Sequence, residues 1–327
     1  MAVPVGIASV GHYVPDRVID NHYFTTFLDT SDEWIRQRSG IRERRWLADG
    51  QTTSDMFIAA GRQALERAGV GPEEVDLIIC GTVSGDYLFP ATACIVQDAL
   101  GCTRAAGFDL SAACPGFLFA VSTGSQFVAA GTYQNVLVIG GEALSRITDM
   151  NDRSSCVLFG DGAGAVLLQP HAVCQRGLIE DILLGTDGSR ADLIIRPHGG
   201  AKHPITLETL EAGTHLLQMK GREVYRFAVE KMTELMEWAM EGQNPLELGW
   251  VVPHQVNARI LETATERLAI PREKVIVNID RLGNTSAASI PIILSELWEQ
   301  DQLEPGKFLV LATFGAGLTW AGARVRW

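Results

Sequence analysis

Asp109-Leu110-Ser111-Ala112-Ala113-Cys114-Pro115-Gly116-Phe117 joins two kinds of periodicity, and the reading of this junction decides the fold. The half-apolar run 106–110 before it reads as a short strand. After it, Phe117, Leu118, Val121 and Phe127 recur near a 3.6-residue period, with Pro115 at the expected first helical position and Gly131 as a stop. A cysteine at such a junction faces the unpaired N–H groups of the helix. Their partial positive charge would stabilise a thiolate and lower its pKa. Most free cysteines, however, are small buried residues, so the turn alone leaves both readings open.

Working outward, the nearly continuous apolar runs 75–82 and 135–142 read as strands covered on both faces, as in a parallel sheet between helices. Upstream lie an expected strand at 5–10, a short helix at 21–28, and a helix capped by Thr30 or Ser31 with acids in its first turn. An amphipathic helix is expected at 53–68 and another at 89–100. Gly160-Asp161-Gly162-Ala163-Gly164-Ala165 leads into an apolar strand ending near 168. The second half repeats the order: strand 248–254, helix 257–268, strand 275–278, Gly283-Asn284-Thr285-Ser286, helix 287–298, strand 308–313, and the glycine turn Phe314-Gly315-Ala316-Gly317.

The spacings agree. Leu77 to Cys114 is 37 positions and Trp250 to Asn284 is 34; Cys114 to Val136 is 22 and Asn284 to Phe308 is 24. The chain therefore reads as two copies of one β-α-β-α-β plan, 1–170 and 171–327, with Cys114 and Asn284 at equivalent strand-to-helix turns. Turn residues concentrate at 169–221, the expected linker.

Composition narrows the class. The 327 residues are 46% hydrophobic and 20% charged, which is globular, and long enough for two halves in one body. A net charge of −12 speaks against an extended nucleic-acid surface, so an acidic partner needs a local basic patch. The six cysteines form no C-x-x-C pair or zinc-ligand spacing, which suits reduced thiols and no metal. The first residues lack a basic segment followed by an apolar run, so no signal peptide is expected, and no apolar stretch reaches membrane-spanning length. These features lead us to expect a cytoplasmic protein with no membrane partner.

Ligands in open α/β sheets collect at the carboxyl ends of strands, where Cys114, His254 and Asn284 all fall. Separately, His254 could be a structural histidine, Asn284 a helix cap and 314–317 a tight turn. Together they resemble more. Ala112-Ala113-Cys114-Pro115-Gly116-Phe117, Val252-Pro253-His254-Gln255-Val256-Asn257 and Gly283-Asn284-Thr285-Ser286-Ala287-Ala288-Ser289 resemble the three active-site motifs of the β-ketoacyl-acyl-carrier-protein synthase III family. Thr30-Ser31-Asp32-Glu33-Trp34-Ile35, Ser39-Gly40-Ile41-Arg42-Glu43-Arg44, 159–165 and 314–320 match it too, in order over nearly the whole chain.

This resemblance implies an α/β, thiolase-like duplicated fold in five αβαβα layers. It implies a decarboxylating condensation of an acyl-CoA primer with malonyl-acyl-carrier-protein, giving 3-oxoacyl-acyl-carrier-protein, CoA and CO2 through an acyl-Cys114 intermediate. His254 and Asn284 would stabilise the malonyl-derived charge, with the backbone N–H groups of Cys114 and Ala316 as an oxyanion hole. Thr30, Trp34, Arg38, Arg153 and Asn257 would contact CoA, Trp34 and Arg153 sandwiching its adenine. Gln255, Val256, Asn257, Ala258 and Arg259 would meet the carrier protein, with Arg226 and Arg267 as further basic contacts. Phe89 would floor the acyl pocket of the partner in a homodimer. No cofactor is implied, since acyl-CoA is a substrate. A degradative thiolase would want a second cysteine near the C-terminus, and none follows Cys174. The alternative is a related condensing enzyme of secondary metabolism, or a non-catalytic acyl-binding paralogue.

Overall fold

Two half-sheets run through the middle of the molecule. In the computed structural model, which describes residues 2–327, nine strands form them: β1 (Val5–Tyr13), β2 (Leu77–Gly81), β3 (Ala106–Leu110), β4 (Val136–Glu142), β5 (Gly162–Pro170), β6 (Leu178–Thr186), β7 (Leu248–Pro253), β8 (Phe308–Gly315) and β9 (Thr319–Arg326). Their order is β7-β8-β9-β6-β1-β5-β4-β2-β3. Read outward from the centre, β1-β5-β4-β2-β3 and β6-β9-β8-β7 repeat one pattern: two antiparallel pairings, then parallel ones. The halves join through a single register pair, Gly6 with Leu178.

The main helices are α1 (Asp32–Ser39), α2 (Thr53–Ala68), α3 (Thr92–Leu100), α4 (Gly116–Ala129), α5 (Gly221–Met240), α6 (Ala258–Arg267) and α7 (Ser289–Glu299). Leu118 and Val121 of α4 and Ile290 and Ile293 of α7 share one core with Val10, Val138, Val252 and Leu311 of both half-sheets. Helices α2 and α3 cover the outside of the first half-sheet, with Met56, Ala60 and Val96 against Ile78 and Leu137. On the other side, Phe227, Met232 and Leu261 of α5 and α6 cover Val251 and Val310. These are the five αβαβα layers. Among the described residues no helix is long and apolar enough to cross a membrane.

Several local expectations change. The run 275–278 forms no strand, only a bridge from Val275 to Val251. The backbone N–H groups of Asn278 and Ile279, which a ladder would use, donate instead to Gln255 Oε1 at 2.9 and 3.1 Å. The expected linker contains β6, the innermost strand of its half-sheet. Helix α3 starts at Thr92 rather than 89, because the Asp109 carboxylate accepts the N–H groups of Thr92 and Ala93 and fixes the first turn there. The helix expected at 21–28 closes at Thr25. The two strand-to-helix turns are alike but out of register: Ala113 (φ 50°) immediately precedes Cys114, whereas Ser286 (φ 51°) follows Asn284 by two.

Candidate active site

Cys114 sits between the end of β3 and the start of α4, against the turn after β8. A Cβ on Gly315 would lie 2.9 Å from both Cys114 Cβ and Cys114 N, so only glycine lets the strand pass this close. Thr319 Oγ1 lies within hydrogen-bond distance of Ala112 O (3.0 Å) and Ala316 O (2.8 Å), holding the 316–319 turn against the segment that leads to Cys114. The expected lowering of the thiol pKa is not found. Burial pushes Cys114 up to about 11, and the nearby Glu142 charge adds to this, while the Ser286 hydroxyl beside the thiol opposes it. One helix end does not outweigh the desolvation of this half-buried thiol. Gly116 N–H, a first-turn donor, is also already bonded to Ala113 O at 2.7 Å.

His254 leaves β7 fully buried, its N–H bonded to Ala312 O (2.8 Å) and its ring edge-on to Phe314. Nδ1 is 2.8 Å from Ser289 Oγ, and Nε2 is buried without a partner. Desolvation drives its pKa down to about 3, so the ring is neutral.

Asn284 is held from the other half of the chain: its N–H donates to Leu158 O (2.8 Å) and its carbonyl accepts Gly160 N–H (3.0 Å). A Cβ on Gly160 would collide with the Leu282 carbonyl, and this explains the glycine in the 159–165 motif. Asp161 anchors that segment by accepting Leu47 N–H, Ser145 N–H and the Ser145 hydroxyl. Asn284 Oδ1 accepts Ser286 N–H at 2.9 Å, which turns the Nδ2 donor end away from Ser286.

Ser286 thus links the three groups: its hydroxyl lies beside the Cys114 thiol, its N–H orients Asn284, and it is joined to His254 only through Ser289, whose hydroxyl lies within hydrogen-bond distance of both the Ser286 carbonyl and His254 Nδ1. Neither serine was singled out from sequence, although both lie in the 283–289 motif. Among the described residues no three His, Cys, Asp or Glu side chains cluster as a metal site would require.

At the mouth, the guanidinium carbons of Arg153 and Arg38 lie 5.0 and 5.8 Å from the Trp34 ring centroid. A base entering between Trp34 and Arg153 must displace the half-exposed arginine, which is tethered to Asp29 O. Ser31, not Thr30, caps α1; Thr30 Oγ1 is buried without a partner. Asn257 caps α6 through Arg259 N–H and reaches Arg38 O at 3.0 Å. A cavity of about 680 Å³ beside it is lined by Arg38, Arg222, Arg226, Arg259 and Arg267. Arg222 is new here; one turn before Arg226 on α5, it was readable only once that helix was known.

Within the run expected to meet a carrier protein, Gln255 must be removed. It is fully buried, and its amide holds Pro253 O, Ile276 O, Asn278 N–H and Ile279 N–H. Val256 and Ala258 are partly covered, and Arg259 is exposed. Phe89 is 85% exposed, beside Leu88 at 90%, on a loop that projects from its own chain.

The chain is similar to a set of known proteins over nearly its whole length. A family model described as 3-oxoacyl-[acyl-carrier-protein (ACP)] synthase III matches residues 108–188, and the model of its C-terminal part matches 239–327. The chain is 47% identical to a β-ketoacyl-[acyl-carrier-protein] synthase III of Desulfitobacterium hafniense (strain DSM 10664 / DCB-2), over 99% of this chain and 98% of that protein. Identity is also 47% to the enzyme of the same name from Symbiobacterium thermophilum, again over 99% and 98%. The crystal structure of 3-oxoacyl-[acyl-carrier-protein] synthase III from Aquifex aeolicus VF5 superposes with a TM-score of 0.89 at 41% identity, over 99% of this chain and 100% of that one.

Proposed function

Since the chain belongs to the 3-oxoacyl-[acyl-carrier-protein] synthase III family, we propose that Cys114, His254 and Asn284 carry out the condensation that initiates fatty-acid biosynthesis. The observation that supports this most is Ser286, whose hydroxyl lies beside Cys114, whose N–H orients Asn284 and whose carbonyl is linked through Ser289 to His254. An acyl-CoA primer acylates Cys114, since a thiolate is both a strong nucleophile and a good leaving group from a thioester. Malonyl-acyl-carrier-protein then loses CO2, and its carbanion attacks the acyl-cysteine. Negative charge builds on the malonyl thioester oxygen, and Asn284 Nδ2 and His254 Nε2 stabilise it. The Cys114 and Ala316 N–H groups hold the oxyanion of the attacked acyl group. No resident cofactor takes part.

The five arginines around the 680 Å³ cavity supply local positive charge on an acidic protein, suited to CoA phosphates and an acidic carrier. The exposed Phe89 loop meets a second copy of the chain, so the working form is a homodimer. The experiment is acylation with labelled acetyl-CoA and longer primers, followed by malonyl-carrier protein. Cys114→Ser abolishes the acyl-enzyme. Asn284→Ala and His254→Ala still form it but lose malonyl decarboxylation by ~10²–10³. Absence of condensation with every primer overturns the proposal.

A further inference from the structure

We propose that Gln255 is a positioning residue that sets the separation of the His254 and Asn284 side chains, and so governs the malonyl half of the reaction and not the acylation of Cys114. Two segments carry those side chains: the end of β7, which stops at Pro253 just before His254, and the run 275–284. They begin to pair as parallel strands, with Val275 bridged to Val251 and Ile276 N–H donating to Val251 O at 3.0 Å. The next rung would need an N–H from Pro253 for the Ile276 carbonyl, and proline has none. The Gln255 amide fills that gap. Its Nε2 donates to Ile276 O (3.1 Å) and Pro253 O (2.9 Å), and its Oε1 accepts the N–H groups of Asn278 (2.9 Å) and Ile279 (3.1 Å). Two carbonyls on one side and two N–H groups on the other allow one orientation of the amide, and all four of its hydrogen-bonding positions are taken. The side chain is fully buried, so water does not compete for them.

Each end of this amide leads to one reacting group. Pro253 O belongs to the peptide unit whose N–H, that of His254, donates to Ala312 O, so both polar groups of the plane leading into His254 are held. At the other end, the Asn278 and Ile279 N–H groups head the helical turn Ile279–Leu282. Gly283 N–H closes this turn by donating to Ile279 O (2.9 Å), and Asn284 follows directly. Asn278 Nδ2 also reaches Glu296 Oε2 of α7 (3.1 Å), and that carboxylate pairs with Arg281 at 2.6 Å, so the turn is tied to the helix that follows Asn284. Leu158 and Gly160 fix Asn284 against the first half of the chain; Gln255 fixes its approach against β7. The role rests on the condensing reading above, in which both side chains donate to one developing oxyanion. A displacement of about 1 Å in such a pair can cost ~10² in rate. Cys114 is held by other contacts, the close approach of Gly315 and the 316–319 turn, so acylation does not depend on Gln255.

The test is Gln255→Met in the full-length enzyme, which keeps the length of the side chain and removes all four bonds. Acyl-enzyme should form from labelled acyl-CoA at the unmodified rate, while malonyl decarboxylation and condensation slow about tenfold or more at little-changed KM. Gln255→Glu, neutral when buried and able to keep three of the four bonds, recovers part of the loss. In an Asn284→Ala background Gln255→Met adds little, since with one donor gone there is no separation left to set. Equal losses in both half-reactions, full additivity with Asn284→Ala, or decarboxylation at the unmodified rate each overturn the inference. If Gln255→Met does not fold, Gln255→Glu is read against the same outcomes. Absence of condensation by the unmodified enzyme with every primer overturns the functional reading instead. Hydrogen exchange then decides the placement: the peptide 276–286 should exchange faster in the variant while α4 is unaltered, and unchanged exchange in 276–286 overturns it.

Discussion

Glu142 ends β4 wholly buried, its carboxylate accepting from Thr82 Oγ1, Val83 N–H and the Ser84 hydroxyl, and it lies close enough to Cys114 to raise the thiol pKa. Desolvation lifts its own pKa from 4.5 to about 7 despite those donors. The native state therefore keeps a proton that the unfolded chain releases from about pH 4.5 upward. Stability falls as pH rises from 4.5 to 7 and levels off above, by up to about 3 kcal/mol from this group. His254, held neutral with a lowered pKa, adds stability over the same rise in pH, so the Glu142 contribution is read as a difference between proteins. In denaturant titrations at pH 5 and pH 8, Glu142→Gln should gain more, or lose less, stability than the wild type, and an equal pH dependence in both refutes this account. At this scale the sequence picked out the proposed reacting groups but not their environment. Cys114, His254 and Asn284 stand in recognisable motifs at strand ends. The rise of the thiol pKa, the burial of Gln255 and the work of Ser286 and Ser289 depend on how distant segments close over them, and no local pattern encodes that.

Helices α5 and α6 frame the basic cavity, and their arginines come from different turns: Arg222 and Arg226 on one helix, Arg259 and Arg267 on the other. Reversing the charge of both Arg222 and Arg226 to Glu should raise KM for acyl-CoA or carrier-bound malonate about tenfold or more, with kcat nearly unchanged, because these residues bind without touching the reacting carbons. Steady-state kinetics at two ionic strengths measures this; a fall in kcat alone would contradict it. Elements with strong periodicity were legible in sequence. Buried strands β2, β4, β7 and β8 appear as apolar runs and α2 as the amphipathic pattern of 53–68, while its Thr52–Asp55 capping box and left-handed Gly69 are found in the structure. Strand β6 was not, because its residues are only partly covered and turn-rich segments flank it. The run 275–278 has strand-like residues but makes only one bridge to β7, because the Val275 N–H donates to Arg272 O and the Asn278 N–H to Gln255 Oε1, partners visible only in three dimensions.

At the scale of the whole molecule, the duplication was readable from spacing, whereas the single register pair joining the half-sheets was not. The Phe89 loop carries the one prediction about assembly: Phe89→Asp should shift the proposed dimer toward monomer in sedimentation velocity and lower activity in parallel. A stable dimer with unaltered activity would remove this loop from the interface. Asn284 has a wider consequence. Its backbone is clamped by Leu158 and Gly160, more than 120 positions earlier in the chain. The Asn284 amide, which the proposed reaction uses, is therefore held in place from both halves of the chain. Activity then becomes a sensor of cooperative unfolding: in a urea titration it should vanish along the same curve as the helical circular dichroism, with neither half retaining a working remnant.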